Sequence, residues 1–249
     1  MNVISEEAKI GKNVKFGNFV TVGAGVSIGD GSIIESYSYI GYSNGRERSE
    51  LTIGKRAHVR SHTIIYQGST IGDDLVTGHH AIIRENSQIG DAFQAGTGTV
   101  VMGELTIGSY VKTGSNVEIG QGSIVGSFVW IFLNSTLIND RRPPSSEIAG
   151  PIVEDYAVIG AHAVVYPGVR VGADSLVGSG CFLSQDLPPE QIAVGNPSKN
   201  IGPTSKIKYE EDGQKKNVYP WRFRFHKGYP KELVDTWLEE ADKVKILDI

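Results

Sequence analysis

The sequence predicts an all-β chain wound into a parallel β-helix prism, and three observations predict it. From Ile53 to Leu137 an aliphatic or small residue stands at every sixth position, through Val59, Ile65, Ile71, Thr77 and Ile83 onward, without a slip. A period of six fits neither the helical 3.6 nor the strand alternation of two, so it marks a repeat. The next residue is often glycine, as in Ile71-Gly72, Ile89-Gly90 and Ile107-Gly108, which supplies a tight corner. The 31 glycines are accounted for by such corners and therefore do not signal disorder. Each hexad is then one short strand and one corner. Three hexads close a triangular coil, and coils stack at a sheet spacing of roughly 4.8 Å.

The chain opens directly into this repeat. Ile10, Phe16, Val22, Ile28, Ile34 and Ile40 are six apart and form about two coils. Between Ile40 and Ile53 the count is off by one, and Gly41 to Leu51 is polar and charged, which predicts a looped-out segment. Ser43-Asn44-Gly45-Arg46 is either a solvated excursion or a contact for an anionic ligand. After Leu137 the register fails again. Ile138 to Ser146 carries Pro143 and Pro144, which forbid a central strand and predict a second excluded loop. The repeat resumes at Val153, Ile159, Val165, Val171, Val177 and Leu183. The prism is expected over residues 1–200 and a C-terminal extension over 201–249. That extension ends in a helix with Leu233, Val234, Trp237, Leu238 and Ala241 on one face. Tyr219 to His226 clusters aromatics and arginines, for core packing or for stacking on a base or sugar.

Composition narrows the partners. A net charge of −4 argues against nucleic acid. The single cysteine, Cys181, can form no internal disulfide, which fits a reducing compartment. The start lacks an apolar leader and nowhere do 18 apolar residues run together, so a cytoplasmic protein without a membrane partner is expected.

Three stretches carry chemistry. In Thr77-Gly78-His79-His80-Ala81-Ile82-Ile83-Arg84-Glu85-Asn86, the two histidines cannot both face the core, so at least one imidazole is displayed on the wall. His80 is expected to accept a proton from an attacking amine or hydroxyl, with Glu85 orienting it or holding the amine. His79, Arg84, Asn86 and Tyr66, which shares the bulky corner with Arg84, are expected to bind the acceptor. In the second loop Asp140 can hold an ammonium or hydroxyl and Asn139 can donate to a carbonyl, unless both merely shape the turn. The third stretch joins Ala161 and Ala163, small enough for an extended pantetheine arm, to Asn196 and Lys199 of Val194-Gly195-Asn196-Pro197-Ser198-Lys199. Lys199 and Arg170 are expected to meet the phosphates of coenzyme A.

The six-residue repeat resembles that of the hexapeptide-repeat acyltransferases, and the resemblance implies a left-handed β-helix. The repeat, the late excluded loop, the Val-Gly-Asn-Pro-Ser-Lys exit and the Gly-His-His…Ile-Arg-Glu-Asn stretch together are similar to bacterial nucleotide-sugar N-acyltransferases, over roughly residues 1–200. Ser198 stands where that group usually has alanine. The resemblance implies acyl-CoA as co-substrate, a dTDP- or UDP-linked 3- or 4-amino-dideoxy sugar as acceptor and a place in glycan or lipopolysaccharide synthesis. It also implies a homotrimer with sites between prisms, and no metal. O-acetylation of a sugar or small molecule, a tetrahydrodipicolinate-type acylation and a non-catalytic scaffold are the alternatives. A zinc hydratase on the same prism would want a histidine five residues after His79, where Arg84 stands.

Overall fold

The computed structural model describes residues 1–45, 49–211 and 213–247, so the expectation for Arg46 lies outside the described residues. Two- to four-residue strands alternate with corners, and each strand pairs in parallel with its equivalent one coil on: Ile65 with Ile83, and Ile83 with Val101, eighteen residues further each time. Among the described residues the strands form three long sheets of ten, nine and eleven strands, which are the faces of a left-handed prism. Face I runs from Val3–Ile4 to Phe182–Leu183, face II from Lys9–Ile10 to Arg170–Val171, and face III from Lys15–Phe16 to the antiparallel hairpin Gln191–Val194 and Lys199–Pro203.

Why hexads make this shape is visible in the burial pattern. Most sixth-position aliphatics are buried and stack into a continuous core, with Ile53, Val59, Ile65, Ile71 and Ile83 at most 1 % exposed. Each contributes roughly 1.5–3 kcal/mol. Corners close because one residue per turn adopts positive φ, and on the edge between faces II and III side chains secure them. Asp30, Asp73 and Asp91 each accept a backbone N–H from the coil below, at 2.7–2.8 Å.

Both excluded segments leave at one edge, where face I passes to face II: after Tyr39–Tyr42, and after Thr136–Leu137. The C-terminal extension covers another. Its helix α1 (Lys231–Leu247) follows Pro230, and Trp237 and Ala241 face inward, but Leu238, expected on the same face, is 42 % exposed. Tyr219 to His226 does pack: Trp221, Tyr229 and Trp237 close over the edge stack Tyr110–Phe128–Tyr156, whose rings lie 5.2 and 4.9 Å apart. Buried Arg222 pairs with Asp174 and Glu240. Among the described residues no helix is long and apolar enough to cross a membrane.

Candidate functional site

Among the described residues the edge from face III to face I carries neither loop nor extension, and its side chains form a column. The positive-φ corner residue of successive coils reads Phe19, Tyr37, His62, His80, Gly98, Asn116, Asn134, His162 and Gly180. The first four rings stack, with centroids 5.2, 5.1 and 4.7 Å apart. Above the gap, Asn116 donates to Asn134 and Asn134 meets His162, both at 3.3 Å. Between these two runs stands Gly98, which contributes no side chain. One face of the His80 ring is covered by His62, and the rung beyond it is vacant. At one coil per roughly 4.8 Å, the rungs of His80 and Asn116 are about 10 Å apart. The Asn116 amide leans toward this space, its Oδ1 2.5 Å from where a Cβ on Gly98 would lie, so a flat ligand group enters the rung as that side chain turns aside.

The residue before each rung forms a second column, and here His79 stands above Ser61, with Ser61 Oγ 2.8 Å from His79 Nδ1. Neither histidine faces the core; the alternation argument predicts at least one displayed imidazole, and the corner displays both. Thr77 and Thr113 occupy core-type positions beside this edge. Thr77 Oγ1 accepts the Arg60 N–H at 3.0 Å and Thr113 Oγ1 accepts the Gly96 N–H at 2.9 Å, so side chains replace main-chain carbonyls in the ladder. The strand pairing shortens to one residue pair at both places. The coils are wedged at this corner.

Glu85 does not orient His80. The strand Ile82–Ile83 separates them, so that His80 lies on the III–I edge and Arg84, Glu85 and Asn86 lie on the I–II edge, about 13 Å of extended chain away. There Glu85 is buried, paired with Arg84 at 2.8 Å, and accepts from Asn44 of the first loop at 3.1 Å. Arg84 lies over Tyr66, which packs on Tyr42. Asn44, Gln67, Glu85 and Asn86 line a polar cavity of about 240 Å³ under that loop.

Asp140 belongs to its own loop. Its carboxylate accepts from the Ser145 hydroxyl and from the N–H groups of Arg142 and Ser145, each at 2.8 Å, and these bonds, led by the Ser145 hydroxyl, hold its pKa below the usual carboxylate range. The turn accounts for it, and the catalytic expectation for Asp140 loses its support. Asn139 is half-buried at the same edge, where its carbonyl accepts from Ala149.

Of the expected coenzyme residues, Ala161 lies at the III–I corner beside His162, and Asn196 and Lys199 are exposed on the hairpin whose Gly195 carbonyl accepts from Phe182. Ala163 is fully buried, so its methyl packs the core and cannot line a groove. Arg170 lies on face II, paired with Glu154 at 2.6 Å, and is separated from Lys199 on face III. Cys181 is buried, which pushes its thiol up.

Sequence reasoning missed Ser61, Gly98, Asn116, Asn134 and His162. Sorting the hexads by corner would have found them, because all nine rungs occupy one phase of the repeat once both loops are removed.

Two segments, residues 7–42 and 150–185, match the family described as "Bacterial transferase hexapeptide (six repeats)". A 2,3,4,5-tetrahydropyridine-2,6-dicarboxylate N-acetyltransferase of Staphylococcus aureus strain JH9 is 35% identical over 82 residues, 33% of this chain and 34% of that protein. The chain thus spans about a third of the length of the curated relatives it matches. The solved Arabidopsis UDP-N-acetylglucosamine acyltransferase aligns over 81% of this chain and 72% of that one, with a TM-score of 0.51 and 17% identity, a likeness of fold.

Proposed function

We propose that this hexapeptide-repeat β-helix protein is an acyl-CoA-dependent N-acyltransferase acting on the amino group of a nucleotide-linked amino sugar. The observation that carries the proposal is the vacant rung at Gly98 beside the two displayed imidazoles, on an edge left open by loops and extension alike. A thioester lying in that rung is within reach of the histidine corner, and the amide ladder of Asn116 and Asn134 offers donors and acceptors to the extended arm beyond it. Ala161, three coils beyond Gly98 on the same edge, and Asn196 and Lys199, about five coils beyond it, are then where the phosphates are met.

The polar half-site, Tyr66, Arg84, Glu85 and Asn86 with the first loop, lies across face I from the histidines. Face I between them presents Ile64, Ile82 and Val100 outward, half-buried in the single chain. A second prism packed there places its own polar edge opposite the histidine edge of the first, so a trimer completes what one chain divides. Asparagine and arginine at that edge suit a sugar diphosphate.

Transfer needs no covalent enzyme intermediate. The neutral amine attacks the thioester carbonyl, an imidazole of the histidine corner takes the proton, and coenzyme A leaves. Holding both substrates in one groove supplies much of the rate.

Thiol release from acetyl-CoA, measured against a panel of dTDP- and UDP-amino sugars, is the test. Turnover with one amino sugar is expected, with kcat falling about 100-fold or more in His79→Asn. Turnover confined to tetrahydrodipicolinate, the acceptor in the name of the Staphylococcus relative, or to hydroxyl acceptors, overturns the substrate assignment.

A further inference from the structure

Two imidazoles stand at the transfer corner, and their surroundings differ. His80 stacks on His62, and among the described residues no hydrogen bond orients its ring. His79 is held: its Nδ1 lies 2.8 Å from Ser61 Oγ. Ser61 is held in turn from the preceding coil, where Glu35 Oε2 accepts the Ser61 backbone N–H at 3.2 Å while Glu35 Oε1 meets His58 Nε2 at 2.7 Å. The Thr77 wedge frames the same contact from both sides. Its hydroxyl accepts from Arg60, the residue before Ser61, and meets Thr63 Oγ1, two residues after it, at 3.1 Å. Glu35, Ser61 and His79 therefore climb one corner on three successive coils, with the spacing of the upper two fixed by a side chain.

We propose that Ser61 is a positioning residue for acyl transfer, fixing His79 in the tautomer that carries its proton on Nδ1 and leaves the lone pair of Nε2 for the acceptor. The proposal rests on the acyltransferase reading and deepens it: it moves the base from His80 to His79. With Nδ1–H donated to Ser61 Oγ, Nε2 is the nitrogen left free to act. As the amine nitrogen attacks, the C–N bond forms and the amine proton passes to Nε2. The C–S bond then breaks, and the thiolate takes that proton back, leaving amide, free coenzyme A thiol and neutral His79. The Nδ1 proton stays on His79 throughout, donated to Ser61 Oγ. Glu35 helps electrostatically. Burial opposes its charge, but the bonds from His58 and Ser61 outweigh burial and keep its pKa below the ordinary value, so a carboxylate faces this corner at neutral pH and favours the transient imidazolium.

The experiment uses the full-length chain with ¹⁵N-labelled histidine, comparing the parent with Ser61→Ala and Ser61→Thr. Threonine occupies the same corner position at Thr97, so the second variant is compatible with the fold and keeps the hydroxyl. The parent is expected to show the Nδ1–H tautomer for His79, assigned by its absence from His79→Asn. Ser61→Ala is expected to shift it to Nε2–H and to lower kcat about 10- to 100-fold with KM unchanged, and Ser61→Thr to keep both tautomer and rate. An Nε2–H tautomer in the parent, or an unchanged tautomer in Ser61→Ala, overturns the proposal, as does a rate loss that threonine fails to rescue. If no acceptor is turned over, the acyltransferase reading falls, while the tautomer comparison still decides the role of Ser61.

Discussion

Replacing Gly98 by asparagine is expected to leave the prism intact and to cut thiol release about 100-fold or more. Asparagine is tolerated at this corner, since Asn116 and Asn134 hold φ of 55° and 57° in the same column, against 68° for Gly98. A Cβ on Gly98 comes within 2.5 Å of Asn116 Oδ1, which is the mobile end of a side chain and can turn aside. The new amide then occupies the only rung in the run from Phe19 to His162 that has no side chain. At φ 68° any side chain is strained, even where asparagine is tolerated, and the lost freedom of glycine in the unfolded chain, about 0.4–1 kcal/mol, offsets part of that strain, so the melting temperature is expected to change little. Gly31→Asn, at φ 72° on the edge between faces II and III, is the matching control and is expected to keep full activity. Initial rates of thiol release and thermal melts of both variants check the pair. Full activity in Gly98→Asn removes the vacant rung from the site.

The same column shows how far the sequence could be read. The prism and both excluded loops follow from the six-residue period and its two interruptions, because burial in a β-helix is set by hexad phase, and the terminal helix follows from its apolar face. The site needed more. His79 and His80 stood out as charged residues in an aliphatic pattern, and Arg84 and Glu85 stood out for the same reason five residues on. Proximity in sequence suggested one cluster, but a strand of face I lies between them and puts them on different edges. The neighbours that matter to His79 are eighteen residues away at Ser61, and twenty-six further at Glu35. A polar residue at a core-type position, Thr77 or Thr113, was the visible trace of the wedged corner, yet its meaning depends on hydroxyl geometry between coils. Asp140 failed differently: carboxylates that satisfy their own turn look the same in sequence as those that await a substrate.

Trp237→Ala is expected to release the C-terminal extension without melting the prism. Trp237 is 2 % exposed, and its indole lies edge-on to Tyr229, Phe128 and Trp221, at centroid distances of 4.9, 5.4 and 5.8 Å. Removing so large a buried ring costs about 3–5 kcal/mol, because the rings around it belong to three different segments and cannot collapse together. The loss falls on one unit. The extension's aromatic cluster is separate from the prism core, and the coils retain every main-chain pairing without it. Arg222 then departs with the extension and leaves Asp174 on the open edge, and the charges that burial now opposes become hydrated, which offsets part of the lost pairing. Amides of Lys231–Leu247 are expected to exchange about two to three orders of magnitude faster than in the parent, while amides of the face strands keep their protection. Hydrogen exchange read segment by segment distinguishes the two. Equal acceleration in prism and helix would show that they unfold as one, and would place the extension among the elements that hold the coils together.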